Sequence, residues 1–219
     1  MVLHLAQRLD VPLRERNRLL LAAGFAPGFS EHSLDERDMA PVREALERLL
    51  CAHEPYPALV VDRHWDIVAS NRGVDFVVRG VAPELLAQPA NALRIALHPD
   101  GLARRIGNFG EWSANLLGRL HRELDVAPDP ELAALYDELA AYPGVIPMPD
   151  PGGAVAEGIM LMHTLELEDA KLTLFSTVTT FGTARDVTLA ELSIESFFPV
   201  DAETAAALAA GVHQLAAAG

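Results

Sequence analysis

The spacing of hydrophobic residues alternates between helical and strand-like along this chain, and this alternation constrains the fold more than any other feature of the sequence. Ala58 to Asn71 has the pattern of a β-hairpin, with two strand-like runs around a polar turn at Asp62 to His64. Helical spacing then prevails as far as a loop rich in proline and glycine at 143–153. Three β-rich runs follow, with short connections that predict antiparallel pairing: Ile159 to Leu167, Lys171 to Phe181 and Val187 to Phe198.

This order of elements predicts an α+β fold. Helices that are separated along the chain from an antiparallel group of strands favour that class over a parallel, doubly wound sheet. If the five strands form one sheet, with the early hairpin beside the three late strands, the helices can cover one face and enclose a cavity. We therefore expect a PAS-like five-stranded antiparallel sheet covered by helices, preceded by a short all-α segment.

Polar residues and prolines mark the ends of the predicted helices. Val2 to Phe25 has the pattern of two short helices with a break between them. Pro41 suits the first turn of a further helix, whose apolar residues form one stripe: Val42, Ala45, Leu46, Leu49 and Leu50. The predicted N-caps of later helices are Asn71, Asn108 with Glu111 as its reciprocal partner, and Asp129.

The composition is that of a globular protein with an acidic surface. Of 219 residues, 50% are hydrophobic and 22% are charged, which suffices for one main domain and excludes a globally disordered chain. Lys and Arg number 17 against 31 Asp and Glu, and the net charge of −14 argues against general binding of nucleic acid or anionic lipid.

The single cysteine, Cys51, excludes an internal disulfide and is expected to be a buried apolar residue. No apolar run is long enough to cross a bilayer and the N-terminus lacks a secretory signal, so we expect a cytoplasmic protein with no membrane partner.

Three stretches of the sequence resemble a known family. PYPALVVDRHWDIVASN, LHPDGLARRI and LTLFSTVTTFGTARDVTLAELSIESFFP are similar to the MmyB-like ligand-binding domain, and LHPDG at Leu97 to Gly101 is the most specific piece. That PAS-like module is the C-terminal sensory part of XRE-type helix-turn-helix transcription regulators of bacteria. The resemblance runs from Pro41 to Pro199. It implies a sensory domain at 41–219 that binds a fatty-acid-like or other apolar small molecule, and no cofactor is expected.

The residues before this domain are similar to the last helices of the family's DNA-binding domain. On that basis 1–27 is expected to be the end of a truncated helix-turn-helix domain and 28–40 a linker. The recognition helix would lie before Met1, whether through fragmentation, a late start codon or natural truncation, so DNA binding is expected only of the full-length regulator. Arg14, Arg16 and Arg18 are expected to form a solvated helix face rather than phosphate contacts. Regulators of this type read paired half-sites, so we expect a homodimer.

The candidate ligand site combines apolar walls with a polar mouth. The late strands are expected to supply the walls, and an acyl tail would lie between them and the helix that carries Trp112 and Leu116. The wall candidates are Met160, Met162, Leu172, Leu174, Leu192 and Ile194. The pattern leaves the inward face open, because a shift of one residue inverts it. Arg104 or Arg105 is the candidate partner of a carboxylate head group, with Asn108 and Trp112 at the mouth. Plainer roles stay open for these residues: core packing for the apolar ones, solvent exposure for the arginines and helix capping for Asn108.

Two other functions stay open at this point: an enzyme that converts a small molecule in the same cavity, and a dimerisation module with a filled core. The sequence contains no nucleophile-elbow, nucleotide-binding or zinc-protease motif, and its eight histidines are scattered. No catalytic or metal-ligating residue is therefore predicted, and the chain is expected not to be an enzyme. His163 lies in a predicted strand with no evident partner, and His98 is expected to stabilise its own turn through a hydrogen bond.

Overall fold

The computed structural model describes residues 1–147 and 161–218, and within these ranges it shows an α+β fold. The helices are α1 Val2–Arg8, α2 Leu13–Ala22, α3 Ala40–His53, α4 Arg72–Val77, α5 Pro83–Leu86, α6 Ala92–Leu97, α7 Phe109–Val126, α8 Pro130–Ala140, α9 Val187–Glu191 and α10 Ala202–Ala218, with 3-10 turns at Arg37–Met39 and Ala103–Arg105. The strands are β1 Ala58–Val61, β2 Ile67–Ser70, β3 Met162–Glu166, β4 Lys171–Thr180 and β5 Ser193–Pro199.

The five strands form one antiparallel sheet in the order β2-β1-β5-β4-β3. β1 lies beside β5 with Leu59 opposite Glu195, and β5 lies beside β4 with Phe198 opposite Phe175. The early hairpin therefore pairs with the last strand of the late group, and β5 occupies the centre of the sheet. This arrangement confirms the predicted α+β fold with a single five-stranded antiparallel sheet.

The two faces of the sheet pack against different apolar layers, because successive side chains of a strand point to opposite faces. On one face Ile194 of β5 packs with Leu46 and Leu50 of α3. On the other face Leu174 of β4 belongs to a larger core, against which Phe197 of β5 packs. The helices of that larger core include α4, α6, α7, α8 and α10.

A buried asparagine, Asn71, fixes the start of the hairpin and of α4. Its Oδ1 accepts hydrogen bonds from the backbone N–H groups of Ala58 and Val74, and its amide donates to the carbonyls of Leu50 and Tyr56. One side chain thus joins the C-terminal part of α3, the first residue of β1 and the N-terminus of α4. The predicted N-cap at Asn71 is confirmed, and so is the one at Asp129, which accepts from the backbone of α8.

The LHPDG turn places a glycine where no other residue fits. The backbone N–H of Asp100 donates to His98 Nδ1 at 3.1 Å, as expected for this histidine. The N–H of Leu102 then reaches back to the carbonyl of Ile95 at 2.8 Å. A Cβ on Gly101 would lie 2.2 Å from that same carbonyl oxygen, so the tight turn after α6 requires glycine.

Part of the third β-rich run is helical, which corrects the predicted strand from Val187 to Phe198. Val187–Glu191 forms α9, and the strand starts only at Ser193. The Asp186 carboxylate accepts hydrogen bonds from the N–H groups of Thr188 and Leu189, so a helix cap overrides the β propensity of Val187 and Thr188. A helical connection therefore replaces the predicted short hairpin loop between β4 and β5.

Three smaller predictions are also corrected. Cys51 is exposed rather than buried, and Leu49 is exposed as well, because α3 turns Val42, Leu46 and Leu50 towards the sheet. Asn108 stands at the N-cap position of α7 but makes no side-chain cap; its amide donates instead to Glu111 Oε2 and to the carbonyl of Met162. Ile159 and Met160 lie outside the described residues.

The N-terminal helices α1 and α2 contact each other, and α2 also contacts α9. Arg14 of α2 forms a bidentate ion pair with Glu191 at the end of α9, with N–O distances of 2.7 and 2.8 Å. Arg16 donates to the carbonyl of Val11, and Arg18 pairs with Glu15. In the described ranges, no helix combines the length and the apolar character that crossing a membrane requires.

Replacing Gly101 by alanine should destabilise the chain, because the added methyl group meets backbone that cannot move aside. We expect a loss of about 1–3 kcal/mol in the free energy of unfolding for Gly101→Ala, as for overpacked positions in general. Urea denaturation measures this loss. Gly182→Ala is the matched control, since nothing lies within 4 Å of its added Cβ. Equal stability of the two variants would contradict the account of this turn.

Candidate functional site

A cavity of about 120 Å³ lies between the sheet and the helices of the larger core. All five strands contribute to its floor, and α4, α6 and α7 form its roof. Its lining residues are almost all apolar or aromatic: Pro57, Leu59, Trp65, Ile67, Val74, Val77, Val78, Ala92, Leu93, Ile95, Ala96, Leu102, Ile106, Trp112, Leu116, Leu165, Leu174 and Phe197. Two titratable side chains, His163 and Glu195, complete the lining formed by the described residues.

His163 of β3 is held between two aromatic rings. Its ring centre lies 4.2 Å from that of Trp112 of α7, and Phe197 of β5 meets it edge-on at 5.5 Å. The residue is only 6% exposed, and Nδ1 has no hydrogen-bond partner among the described residues. Buried polar atoms in folded proteins are nearly always hydrogen-bonded, so this nitrogen stands out.

Burial also sets the protonation state of His163. Removal from water disfavours the charged imidazolium and lowers the pKa of the ring to about 4. The ring is therefore neutral at physiological pH. A neutral imidazole has one donor nitrogen and one acceptor nitrogen, so it offers a hydrogen bond without adding charge to the cavity.

Glu195 of β5 is buried as well, but its charge is neutralised. Arg119 of α7 donates to Glu195 Oε1 at 2.6 Å, and the guanidinium lies 4.6 Å from the centre of the Trp65 ring. The Trp65 indole N–H donates in turn to Glu123 Oε2. The two titratable side chains of the cavity therefore differ: Glu195 has a partner in the protein, and Nδ1 of His163 has none among the described residues.

A second, polar crevice of about 530 Å³ lies on the other side of Arg119. Its lining includes Arg14 and Arg18 of α2, Arg122 and Glu123 of α7, and Glu191 of α9. The crevice therefore separates the N-terminal helices from the strands and helices around the cavity. Arg119 belongs to its lining and, through Glu195, contacts the wall of the cavity.

The structure brings together three of the apolar site candidates and separates the others. Trp112, Leu116 and Leu174 line the cavity. Leu172 is fully buried in the same core but does not line the cavity. Leu192 and Ile194 lie on the opposite face of the sheet against α3, and Met162 is 45% exposed. Met160 lies outside the described residues.

Of the four residues expected at the polar mouth, Trp112 lines the cavity and the other three do not. The side chain of Arg104 is 76% exposed, and its guanidinium lies 3.9 Å from the carboxylate of Asp100. Arg105 donates to the carbonyl of Arg79 at 2.6 Å. Asn108 joins the start of α7 to β3 through the carbonyl of Met162. None of these three side chains lines the cavity, and each has a structural role or faces solvent.

Sequence reasoning missed the two polar side chains of the cavity, His163 and Glu195, although each carries a signal. Both are polar residues inside β-rich runs. Along such a run successive side chains point to opposite faces, so residues two apart lie on the same face. His163 is two residues from Leu165, and Glu195 is two residues from Phe197, so each shares a face with an apolar residue of the cavity. Within the described ranges, no group of three or more His, Cys, Asp or Glu residues is arranged to hold a metal ion.

Lowering the pH from 7 to 5 should destabilise the chain through His163. The native ring has a pKa of about 4, against 6.5 for the unfolded ring, so the unfolded chain takes up a proton that the native chain does not. Above pH 6.5 the ring is neutral in both the native and the unfolded chain. As the pH falls from 6.5 towards 4, the unfolded ring is protonated while the native ring stays neutral, and the native chain becomes less stable relative to the unfolded one. This loss amounts to about 2 kcal/mol between pH 7 and pH 5.

Urea unfolding of the wild type and of His163→Phe at both pH values measures this effect, because the contributions of the carboxylates cancel in the comparison. The variant should lose about 2 kcal/mol less than the wild type over this range. His121→Phe, at a half-exposed histidine of α7, is measured alongside as the control for replacing a histidine by phenylalanine. Identical pH dependence of wild type and His163→Phe would contradict the assignment of a buried neutral ring.

Comparison with known proteins gives the family of the chain. Among curated proteins there is no match. A family model, the MmyB-like transcription regulator ligand binding domain, matches residues 42–210. The matched range holds the whole sheet, the described lining of the cavity and the LHPDG turn. The match confirms the resemblance seen in the sequence: the chain belongs to the family of MmyB-like transcription regulator ligand-binding domains.

Proposed function

We propose that this chain is the ligand-sensing part of a cytoplasmic bacterial transcription regulator of the XRE type, and that it binds an apolar small molecule in the cavity between sheet and helices. The hydrocarbon part of that molecule resembles that of a fatty acid. The chain binds this molecule without converting it, and the bound ligand modulates DNA binding by the full-length regulator. The family supports the regulatory role, and the cavity carries the proposal of an apolar ligand.

The composition of the lining is the observation that carries this proposal. Burial of an apolar group in such a cavity gains about 0.8 kcal/mol per methylene group, without the cost of removing polar groups from water. A dimerisation module with a filled core would leave no such space. The aromatic side chains Trp112 and Phe197 form part of its walls.

The volume of the cavity limits the ligand. Its 120 Å³ is close to the size of cavities, about 150 Å³, that hold a benzene molecule. In the conformation described, the cavity therefore suits a single ring or a short alkyl chain. A longer chain requires the roof helices to move outward, and that movement provides a means for a ligand to shift the balance between two packings of the domain.

The route from the cavity to the N-terminal helices follows β5 and α9. Glu195 and Phe197 line the cavity, and the same strand begins directly after α9. Glu191 at the end of α9 pairs with Arg14 of α2. At the start of α9, Asp186 accepts hydrogen bonds from Ser30 and His32 of the segment that follows α2. A shift of β5 would therefore move α9, and with it the ion pair at Glu191 and the hydrogen bonds at Asp186.

Filling the cavity should abolish ligand binding while the fold persists. In Ala96→Phe the added ring occupies the space that a ligand would take. We expect toluene to bind the wild type and to lose measurable binding to this variant, as followed by titration calorimetry. Ala209→Phe adds the same ring at an exposed position of α10 and should bind toluene like the wild type. Absence of toluene binding to the folded wild type would refute the proposed function.

The dependence of affinity on the length of the ligand's alkyl chain is a second test of the same cavity. Along the series from benzene to hexylbenzene, affinity should rise by about fourfold per methylene group and then fall once the cavity is full. The same titrations give this dependence. A flat affinity over the series would show that the apolar lining does not determine binding.

We also propose that the regulator is a homodimer, because transcription regulators commonly read two half-sites with two copies. Exposed leucines of α1 and α2 support this proposal, among them Leu5, Leu19 and Leu21. A second copy of the chain would cover them.

Light scattering should give twice the chain mass at micromolar concentration, and Leu5→Glu should yield a monomer. Val126→Glu, at an exposed position of α7, is the control, and a monomeric wild type would contradict the proposal.

A further inference from the structure

One residue of the cavity lining carries a hydrogen-bonding atom that the described part of the protein leaves unused. Nδ1 of His163 is buried without a partner, while the ring lies in the cavity lining. Trp112 and Phe197 fix the orientation of this ring from two sides. The nitrogen is therefore preorganised to meet a polar group of whatever occupies the cavity.

The charges around the cavity disfavour an anionic ligand. The buried carboxylate of Glu195 lines the same cavity, and its partner Arg119 is already engaged in that ion pair. Arg104 and Arg105 lie outside the lining. In the described part of the chain, a ligand carboxylate would face Glu195 with no unpaired cation beside it, and burial of an unpaired charge is strongly unfavourable.

From these two observations we propose that the cavity selects a small apolar molecule with one neutral hydroxyl group, which hydrogen-bonds to His163 Nδ1, and that it rejects the carboxylate of the same chain length. A hydroxyl fits either tautomer of the ring, because it both donates and accepts a hydrogen bond. This inference rests on the proposed function and specifies the head group of its ligand. It replaces the arginine-bound carboxylate expected from the sequence with a neutral group.

The first test compares 1-hexanol with hexanoate at pH 8, where the acid is ionised, by titration calorimetry on the complete chain. Hexanol should bind at least about tenfold more tightly than hexanoate, since an unpaired buried charge costs more than one hydrogen bond gains. In His163→Phe, hexanol should bind about 2- to 10-fold more weakly, which corresponds to the loss of one neutral hydrogen bond. Toluene forms no hydrogen bond, so its change in affinity gives the steric effect of the larger side chain in this lining position, and the loss of hexanol affinity is taken relative to it. His121→Phe should behave as wild type with all three probes.

The second test changes the charge of the cavity wall. Glu195→Gln releases Arg119 from its ion pair, so hexanoate affinity should rise while hexanol affinity stays within about twofold, the scale of a weak polar change. Glu166→Gln removes the same charge from an exposed position of β3 and should leave both affinities unchanged. If His163→Phe does not fold, the nitrogen-15 resonances of the His163 ring in the wild type provide the same information, because a hydroxyl bound at Nδ1 shifts them and toluene does not.

The outcomes separate this inference from the proposed function. Equal binding of hexanol and hexanoate overturns the inference, while toluene binding keeps the proposed function intact. Unchanged hexanol affinity in folded His163→Phe, or unchanged ring resonances in the wild type, also overturns it. If toluene does not bind the folded wild type, the proposed function fails, and the inference fails with it.

Discussion

The alternation of side chains along the central strand β5 fixes most of the other features of this domain. Hydrogen bonds to β1 on one edge and β4 on the other hold its register. Ile194 therefore packs against α3, and Glu195 faces the cavity. A shift by one residue would bury the Glu195 carboxylate against Leu46 and Leu50 and separate it from Arg119. Because a buried charge without a partner is strongly destabilising, the Arg119–Glu195 pair disfavours that shifted register.

Local chemistry explains why the architecture could be predicted from the sequence. The β-hairpin depends on a short turn and on the cap at Asn71, and the start of α8 depends on Asp129, all of which involve residues close together in the chain. The wrong prediction at Val187–Glu191 also has a local cause, since Asp186 caps a helix that β-branched residues do not favour. The order of hairpin, helices and late strands then leaves few ways to build one sheet.

The cavity was harder to predict, because it depends on which face of each strand points inward. Leu174 and Ile194 look equivalent in the sequence, yet the first lines the cavity and the second packs on the far side of the sheet. The arginines after the LHPDG turn were plausible partners for a carboxylate by residue type alone. Their positions follow from the tertiary path of that turn, which sends Leu102 and Ile106 inward and leaves Arg104 exposed. No periodicity in the sequence contains that information.

The exposure of Cys51 has a practical consequence for work on this regulator. It is the single cysteine of the chain, and it lies at the surface near the end of α3. Its neighbour Leu50 contributes its carbonyl to the Asn71 network and its side chain to the core beneath the sheet. A dye or spin label on this thiol therefore attaches at one defined position without any substitution. In an assembly of two copies, such a label gives one intermolecular distance directly, on a helix that packs against the sheet and is anchored next to the cavity-forming hairpin.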